Sequence, residues 1–434
     1  LNPRISHISA LQIFQLIRFS TLILIGVVFA KTGLSTTEIG IYETFMLIAG
    51  AVSFFWLNGL IQGFLPMAQN QESSGKSSVL FNVFYLIAGL SLLTGVFLLV
   101  FEQSISGFLL KKPSIPYLNY LLAYLLLSSP ASLVEYIYLA KNQGKMIVIY
   151  GTISFFLMFL LVVLPALFGF TIEFSLIGLI ASAAIRFLWL LALLIRHSSP
   201  KPDFSFIGLH VKTATPLVLS LLLSGSAQYI DGFIITSRFD EAAFAVFRFG
   251  AREFPLVLLL ANAFSTSMLA GFSDRSKLKI NLEQIRQNSE KLGRWLFPLS
   301  GILMLVSHWA FPVVFNASFT ESATIFNIYL LLIVSRLLFP QTILIGLQKT
   351  TAILWASFLE IVVNVALSLW FIQFLGIAGV AYGTVCAYIF EKLILMVFVL
   401  KTCNIKVADY LNLKQHLLYS LLLTAVFITV EYVI

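Results

Sequence analysis

Long apolar runs dominate the chain. They fall at 8–33, 40–66, 79–101, 117–140, 146–170 and 173–195, and again at 214–237, 242–270, 295–316, 323–348, 351–375, 377–400 and 415–434. An α-helix needs about twenty apolar residues to cross a hydrocarbon core about 30 Å thick. Lipid-exposed backbone is tolerated only in helices and closed barrels. The pattern therefore predicts an all-α polytopic membrane protein with 12 core transmembrane helices and at least one extra C-terminal helix. The polar stretch RHSSPKPDFSFIGLHVK (196–212) divides it. The predicted units are a six-helix bundle over 1–197, a cytoplasmic linker over 198–213, a second six-helix bundle over 214–400, and a loop with an additional helix over 401–434. A second polar stretch, DRSKLKINLEQIRQNSEKLGR, sets Leu278, Leu282, Ile285 and Leu292 among charges at roughly helical spacing. It predicts a short amphipathic helix on the inner membrane face, with a solvated connector as the alternative.

Composition sharpens this picture. The 434 residues are 59% hydrophobic and 11% charged, whereas a soluble domain carries about 25% charged residues. A water-soluble protein with an ordinary surface is excluded. In this setting the net charge of +8 points to loops beside an anionic leaflet and not to nucleic acid. With the N-terminus inside, inside loops hold 17 Lys and Arg, while outside loops hold only Lys31, Lys111, Lys112 and Arg238. That bias predicts a cytoplasmic N-terminus. The first residue is Leu1, so the start is read as trimmed and the first run as a true span, not a signal peptide. An odd helix count leaves the C-terminus outside, and the abrupt end at Glu431–Ile434 is compatible with a fourteenth helix.

A loose internal repeat accompanies the six-plus-six division. EIGIYETF (38–45) opens the second helix and AVFRFGARE (245–253) opens the eighth, at an offset of 205. With six helices per half, the two halves would run parallel in topology.

Candidate chemistry lies in the charges inside the spans: Arg18, Glu135, Arg186, Asp231, Arg248, Arg252, Glu253, Arg336, Glu360, Glu391 and Lys392. Each Arg or Asp at a helix centre costs about 2.5–3.5 kcal/mol on insertion scales, so such residues face a partner or a polar space. Arg248 and Arg252 stand four apart, on one face of a predicted helix. If that helix enters near Ala242, Arg252 lies about 15 Å deep. Pro255 predicts a bend. Arg18, Arg186, Arg248, Arg252 and Arg336 are the candidate substrate-binding residues, because the forked guanidinium suits phosphate. Asp231, Glu253 and Glu360 are the ion-coupling candidates, for H+ or Na+. The competing structural reading pairs Arg252 with Asp231, gives Glu253 a partner on another helix, and lets Arg248 reach outward. For Lys392 the structural reading is pairing with the adjacent Glu391. Glu135 is read as a residue near the inner interface.

No catalytic set, metal site or cofactor motif is expected. His7, His197, His210, His308 and His416 are scattered, and Cys386 and Cys403 show neither metal spacing nor a disulfide framework. No phosphate-binding loop is present.

TTEIGIYETF after the first helix, AQYIDGFIITSRFDEAAFAVFRFGARE across the seventh and eighth, and the overall hydropathy resemble the multidrug/oligosaccharidyl-lipid/polysaccharide (MOP) exporter superfamily. Within it, the chain resembles the polysaccharide transporter branch, the Wzx-type O-antigen flippases. The resemblance covers most of the chain on diffuse motifs. It implies two six-helix bundles in a V around a cavity lined by helices one, two, seven and eight, and alternating access driven by an ion gradient. It implies as partners an undecaprenyl-diphosphate-linked oligosaccharide, membrane lipid and polysaccharide assembly proteins. Two alternatives stand beside it. One is a drug or cation antiporter of the same superfamily, for which Asp231, Glu253 and Glu360 speak. The other is a membrane polymerase or ligase, against which the short outside loops speak.

Overall fold

The computed structural model describes residues 7–69, 78–252, 255–269, 272 and 277–433. Its ordered elements are helical. Eleven stretches among the described residues are long and apolar enough to cross a membrane. Large apolar side chains such as Leu93, Leu188, Ile195 and Leu421 stand exposed along them, as expected where the surrounding solvent is lipid. The chain is a multi-pass membrane protein.

Two compact units are defined. The first comprises 1–229 with 236–245, and the second comprises 230–235 with 246–434.

The N-terminal unit contains α1 (His7–Lys31), α2 (Thr36–Gln69), α3 (Val79–Val100), α4 (Leu118–Ala131), α5 (Val134–Ala140), α6 (Gly144–Leu167), α7 (Ile172–His197) and α8 (Phe204–Gly225). In lipid, helices associate by close backbone packing and not by hydrophobic burial, so small residues sit at contacts. Gly59 and Gly63 of α2, spaced as G-x-x-x-G, meet α8 in this way. A Cβ on Gly59 would lie 2.8 Å from the Val218 backbone, and one on Gly63 would lie 3.0 Å from Ala214 Cβ. His210 of α8 bonds the Leu60 carbonyl at 2.8 Å beside them. The segment before α8 is fastened by buried Asn82, which donates to the Lys201 carbonyl at 3.1 Å and accepts from the Asp203 amide at 2.8 Å. Asp203 then caps α8 by accepting from Phe206 N. That cap begins the helix at Phe204, so part of the stretch read as a connector is helical.

The chain passes through α9 (Ala227–Arg238) and α10 (Glu241–Gly250) into α11 (Pro255–Leu269), α12 (Leu278–Val314), α13 (Thr320–Leu330), α14 (Ile333–Arg336), α15 (Pro340–Gly346), α16 (Thr350–Cys403) and α17 (Leu413–Tyr432). The apolar run 242–270 is not one helix. α10 ends at Gly250, and a Cβ there would lie 2.4 Å from the Ser322 carbonyl. α11 restarts at Pro255, a residue suited to the first helical position. Arg252 sits in the break, so the expected common helical face of Arg248 and Arg252 does not form.

The segment expected as a separate amphipathic helix is instead the first part of α12, a continuous 37-residue helix. Its stripe is buried at Leu282 and Ile285, and Ser289 donates to the Leu337 carbonyl at 2.8 Å. The apolar face is used within the unit, so it is not free to lie on a membrane surface. Further along α12, Trp295 and Trp309 stand 75% and 71% exposed. Their spacing is about 21 Å along the helix axis, compatible with aromatic anchors near two interfaces.

α16 comprises two antiparallel passes. It turns at Gly376, whose φ is +57°, a conformation that costs glycine little. Glycines then allow the return. A Cβ on Gly383 would lie 2.7 Å from Ser368 N, and one on Gly379 would lie 2.5 Å from the Phe371 backbone. α17 is held by Glu431, which accepts from Asn327 Nδ2 at 2.6 Å and meets His308 Nε2 at 2.9 Å.

Candidate functional site

Each unit contains its own polar cluster. In the N-terminal unit the helix breaks between Ala131 and Val134, just past Pro130, whose missing N–H weakens the preceding turn. The break places Glu135 in the first turn of α5. Its carboxyl is buried, at 4% exposure, and Glu135 Oε2 has no hydrogen-bond partner among the described residues. The charges acting on it are Arg186 of α7 and Arg18 of α1. Arg186 is half-buried and Arg18 exposed. Arg186 Nε donates to the Tyr150 hydroxyl at 3.1 Å, and its guanidinium lies 5.7 Å from the Phe155 ring centre. An aromatic wall holds this arrangement: Trp189 Nε1 donates to the Tyr138 hydroxyl at 2.9 Å, Tyr150 and Trp189 meet edge to face at 5.2 Å, and Phe14 stacks on Tyr150. Arg18 lies about 17 Å along α1 and Arg186 about 21 Å along α7, both near the middle of their helices. Two arginines thus act on one buried acidic residue, so cations outnumber acids in this group.

The C-terminal unit includes Asp231 of α9, 6% exposed. Asp231 Oδ2 accepts from Thr384 Oγ1 at 2.6 Å and from Tyr329 OH at 2.7 Å. Oδ1 has no partner among the described residues. Asn364 donates to Thr384 Oγ1 at 3.2 Å. Ser368 Oγ lies 3.3 Å from Asn364 Oδ1 and 3.4 Å from the Val380 carbonyl. Thr384 also reaches that carbonyl at 3.1 Å, so its single proton can turn to either acceptor. Carboxylate, amide, hydroxyl and carbonyl oxygens gathered around one negative charge suit a hard monovalent cation or a proton. No set of three or more His, Cys, Asp or Glu fit for a metal ion occurs among the described residues.

Glu360 feels the fields of Glu391, Asp231, Lys392 and Arg336. It is 4% exposed, with Oε1 unpartnered among the described residues. Lys392 and Glu391 form the adjacent pair that their sequence positions suggest, at 2.7 Å, and Lys392 also reaches Gln341 at 3.4 Å. Arg336 stacks over Tyr388 at 4.6 Å.

The candidate residues thus fall into separate groups. Arg18 and Arg186 come together around Glu135, a residue read as peripheral in the sequence. Asp231 and Glu360 come together on the other unit, near Arg336. Asp231 is held by Thr384 and Tyr329, not by Arg252 as the structural alternative had it. Arg252 stacks over Phe249 at 5.0 Å, and Arg248 sits in the last turn of α10. Glu253 lies outside the described residues. Sequence reasoning missed Tyr150, Tyr329, Asn364, Ser368 and Thr384, because it searched the spans for charges alone. Asn364 and Ser368, four apart in an apolar run, were the available signal.

The described residues form an all-α, multi-pass membrane fold with a polar cluster inside each of two helical units. The profile of the polysaccharide biosynthesis protein family matches residues 34–324, more than half of the sequence, and the chain belongs to that family. No protein of curated function matches the sequence. Among solved structures, the lipid II flippase MurJ in an inward closed conformation is similar with a TM-score of 0.66 at 17% identity, covering 96% of this chain and 98% of that one. An inward-facing multidrug resistance MATE family transporter of the MOP superfamily gives 0.63 at 14% identity, covering 97% and 99%. A MOP superfamily transporter from Pyrococcus furiosus gives 0.55 at 12%, covering 96% and 94%. The chain shares its fold with these three structures.

Proposed function

We propose that this protein is a flippase that moves an undecaprenyl-diphosphate-linked oligosaccharide from the inner to the outer leaflet of the bacterial inner membrane by alternating access. The observation carrying this reading is the positive cluster of Arg18 and Arg186 at mid-helix in the N-terminal unit. Arginine presents planar, forked donors that match phosphate oxygens in pairs. A cation near the bilayer centre is retained when it binds something, and the diphosphate of a lipid-linked sugar is an anion that must pass that depth to change leaflets. Family membership and a fold shared with a lipid II flippase support the same reading. Arg248, Arg252 and Arg336 are further candidate contacts in this proposal.

The energy source is assigned to the C-terminal unit. Asp231, with Oδ1 unpartnered among the described residues and neutral oxygens around it, is proposed as the coupling-ion site, with Glu360 beside it. The same cluster favours the second reading, an ion-coupled antiporter of drugs or other cations.

Replacing Arg18 and Arg186 with Ala, singly and together, and following surface polysaccharide and lipid-linked intermediates separates the two. The flippase reading expects intermediates to accumulate at normal protein levels. Normal export by the double variant refutes it, and loss of drug resistance instead supports the antiporter.

A further inference from the structure

We propose that the C-terminal unit binds two coupling cations, one at the Asp231 cluster and a second at Glu360, one helical turn away along a polar seam inside α16. This deepens the reading of Asp231 as a coupling-ion site and rests on it. The ligand class at both positions is a monovalent cation, H+ or Na+.

The register of α16 defines the seam. Its two passes meet through Asn364 and Thr384 at 3.2 Å, and through Ser368 and the Val380 carbonyl at 3.4 Å. These pairs are four residues apart on each pass. The next turn therefore sets Glu360 level with Tyr388, and Ser357 level with Glu391. Ser357, Glu360, Asn364 and Ser368 share one face of the first pass, and all four are buried. Thr384, Glu391 and Lys392 are buried on the second pass. Thr384 reaches Asp231 Oδ2 at 2.6 Å, so a hydrogen-bonded chain runs from Asp231 through Thr384 to Asn364. Glu360 stands about 6 Å further along the helix axis.

Hydrogen bonds between the passes account for Asn364, Ser368 and Thr384, because polar side chains join helices in lipid. They do not account for Glu360, whose Oε1 is buried without a partner among the described residues. The elements packed on α16 bring few charges. α13 brings Tyr329, which donates to Asp231, and Glu321 in its first turn. α14 brings Arg336, set over the Tyr388 ring at 4.6 Å. α15 has no titratable side chain. α17 meets α16 near its turn, through Tyr432 and Tyr382. Within α16, Lys392 pairs with Glu391 at 2.7 Å, so the one lysine of the seam serves that acid. A carboxylate this deep is costly without a cation against it. Asp231 and Glu360 each keep one oxygen unpartnered among the described residues. Each is a place where a cation taken from outside completes the charge.

The test counts the cations bound by the purified full-length protein. Radioactive sodium at saturation counts Na+, and potentiometric titration across the neutral pH range counts exchangeable protons. Wild type, Asp231→Asn, Glu360→Gln and the double variant are compared. Summed over both counts, each single variant is expected to bind one cation fewer than wild type, and the double variant two fewer. The count in which the cation is lost tells sodium from proton. Glu360→Asp, which keeps an acid in the seam, should bind as wild type does. Glu360→Met, apolar like the surrounding helices, repeats the count if Glu360→Gln fails to fold. As many cations on Glu360→Gln or Glu360→Met as on wild type overturns the second site and leaves Asp231 intact. No loss in Asp231→Asn refutes the coupling-ion site itself, and this inference with it.

Discussion

In the N-terminal unit two arginines, Arg18 and Arg186, act by their fields on a single buried carboxylate, and Oε2 of that carboxylate is left without a partner among the described residues. In the C-terminal unit the carboxylate of Asp231 is wrapped by hydroxyls, with an amide and a backbone carbonyl close by. Both clusters sit in apolar helices. Their chemistry is opposite. The first has spare donors and suits an anion. The second has spare acceptors and suits a cation. On the proposed reading, the first binds the anionic cargo and the second the coupling cation.

That contrast can be broken one side at a time. The largest effect is expected from Arg18→Ala with Arg186→Ala. Each lost charged hydrogen bond is worth about 1.5–3 kcal/mol, so losing both should weaken diphosphate binding by hundreds of times or more. Polysaccharide export should fall to background at normal protein levels. Asp231→Asn comes next. It keeps the shape and can still accept from Thr384 and Tyr329, so melting temperature should hold while transport driven by a gradient of H+ or Na+ is lost. Dependence on either gradient that survives in Asp231→Asn would move the ion site elsewhere.

Smaller effects test the scaffold. Gly59→Leu forces side-chain atoms into the Val218 backbone. Overpacking of this kind costs about 1–3 kcal/mol, so the detergent-solubilised protein should melt at lower temperature. Gly33→Leu, where nothing lies within 4 Å of the added Cβ, serves as the control. The smallest change expected is Glu431→Gln. It removes the charge that meets His308 and keeps an acceptor for Asn327, at a cost of about 1 kcal/mol. A visible drop in melting temperature with unchanged transport is the expected result.

The helical passes were readable from the sequence because hydrocarbon imposes one requirement on every span. The interruption between Gly250 and Pro255 was legible in part, because Pro255 signalled a bend, but the close packing of Gly250 on the distant Ser322 carbonyl was not. Nor was the fate of 278–294. Its stripe of Leu282 and Ile285 fits a membrane surface as well as a protein neighbour, and only tertiary packing decides. At the sites, the charged residues were legible because they violate the apolar pattern. Which of them meet was not: Glu135 belongs with Arg18 and Arg186 through the packing of four helices. The neutral oxygens around Asp231 were invisible to a search for charge.

The central claim is that the N-terminal unit carries the anion site, and binding of farnesyl diphosphate tests it most directly. Affinity should be compared in wild type, in the double variant Arg18→Ala with Arg186→Ala, and in Asp231→Asn. The account predicts binding in wild type that inorganic diphosphate competes away, near-complete loss in the double arginine variant, and retention in Asp231→Asn. Equal binding by wild type and the double arginine variant would contradict it.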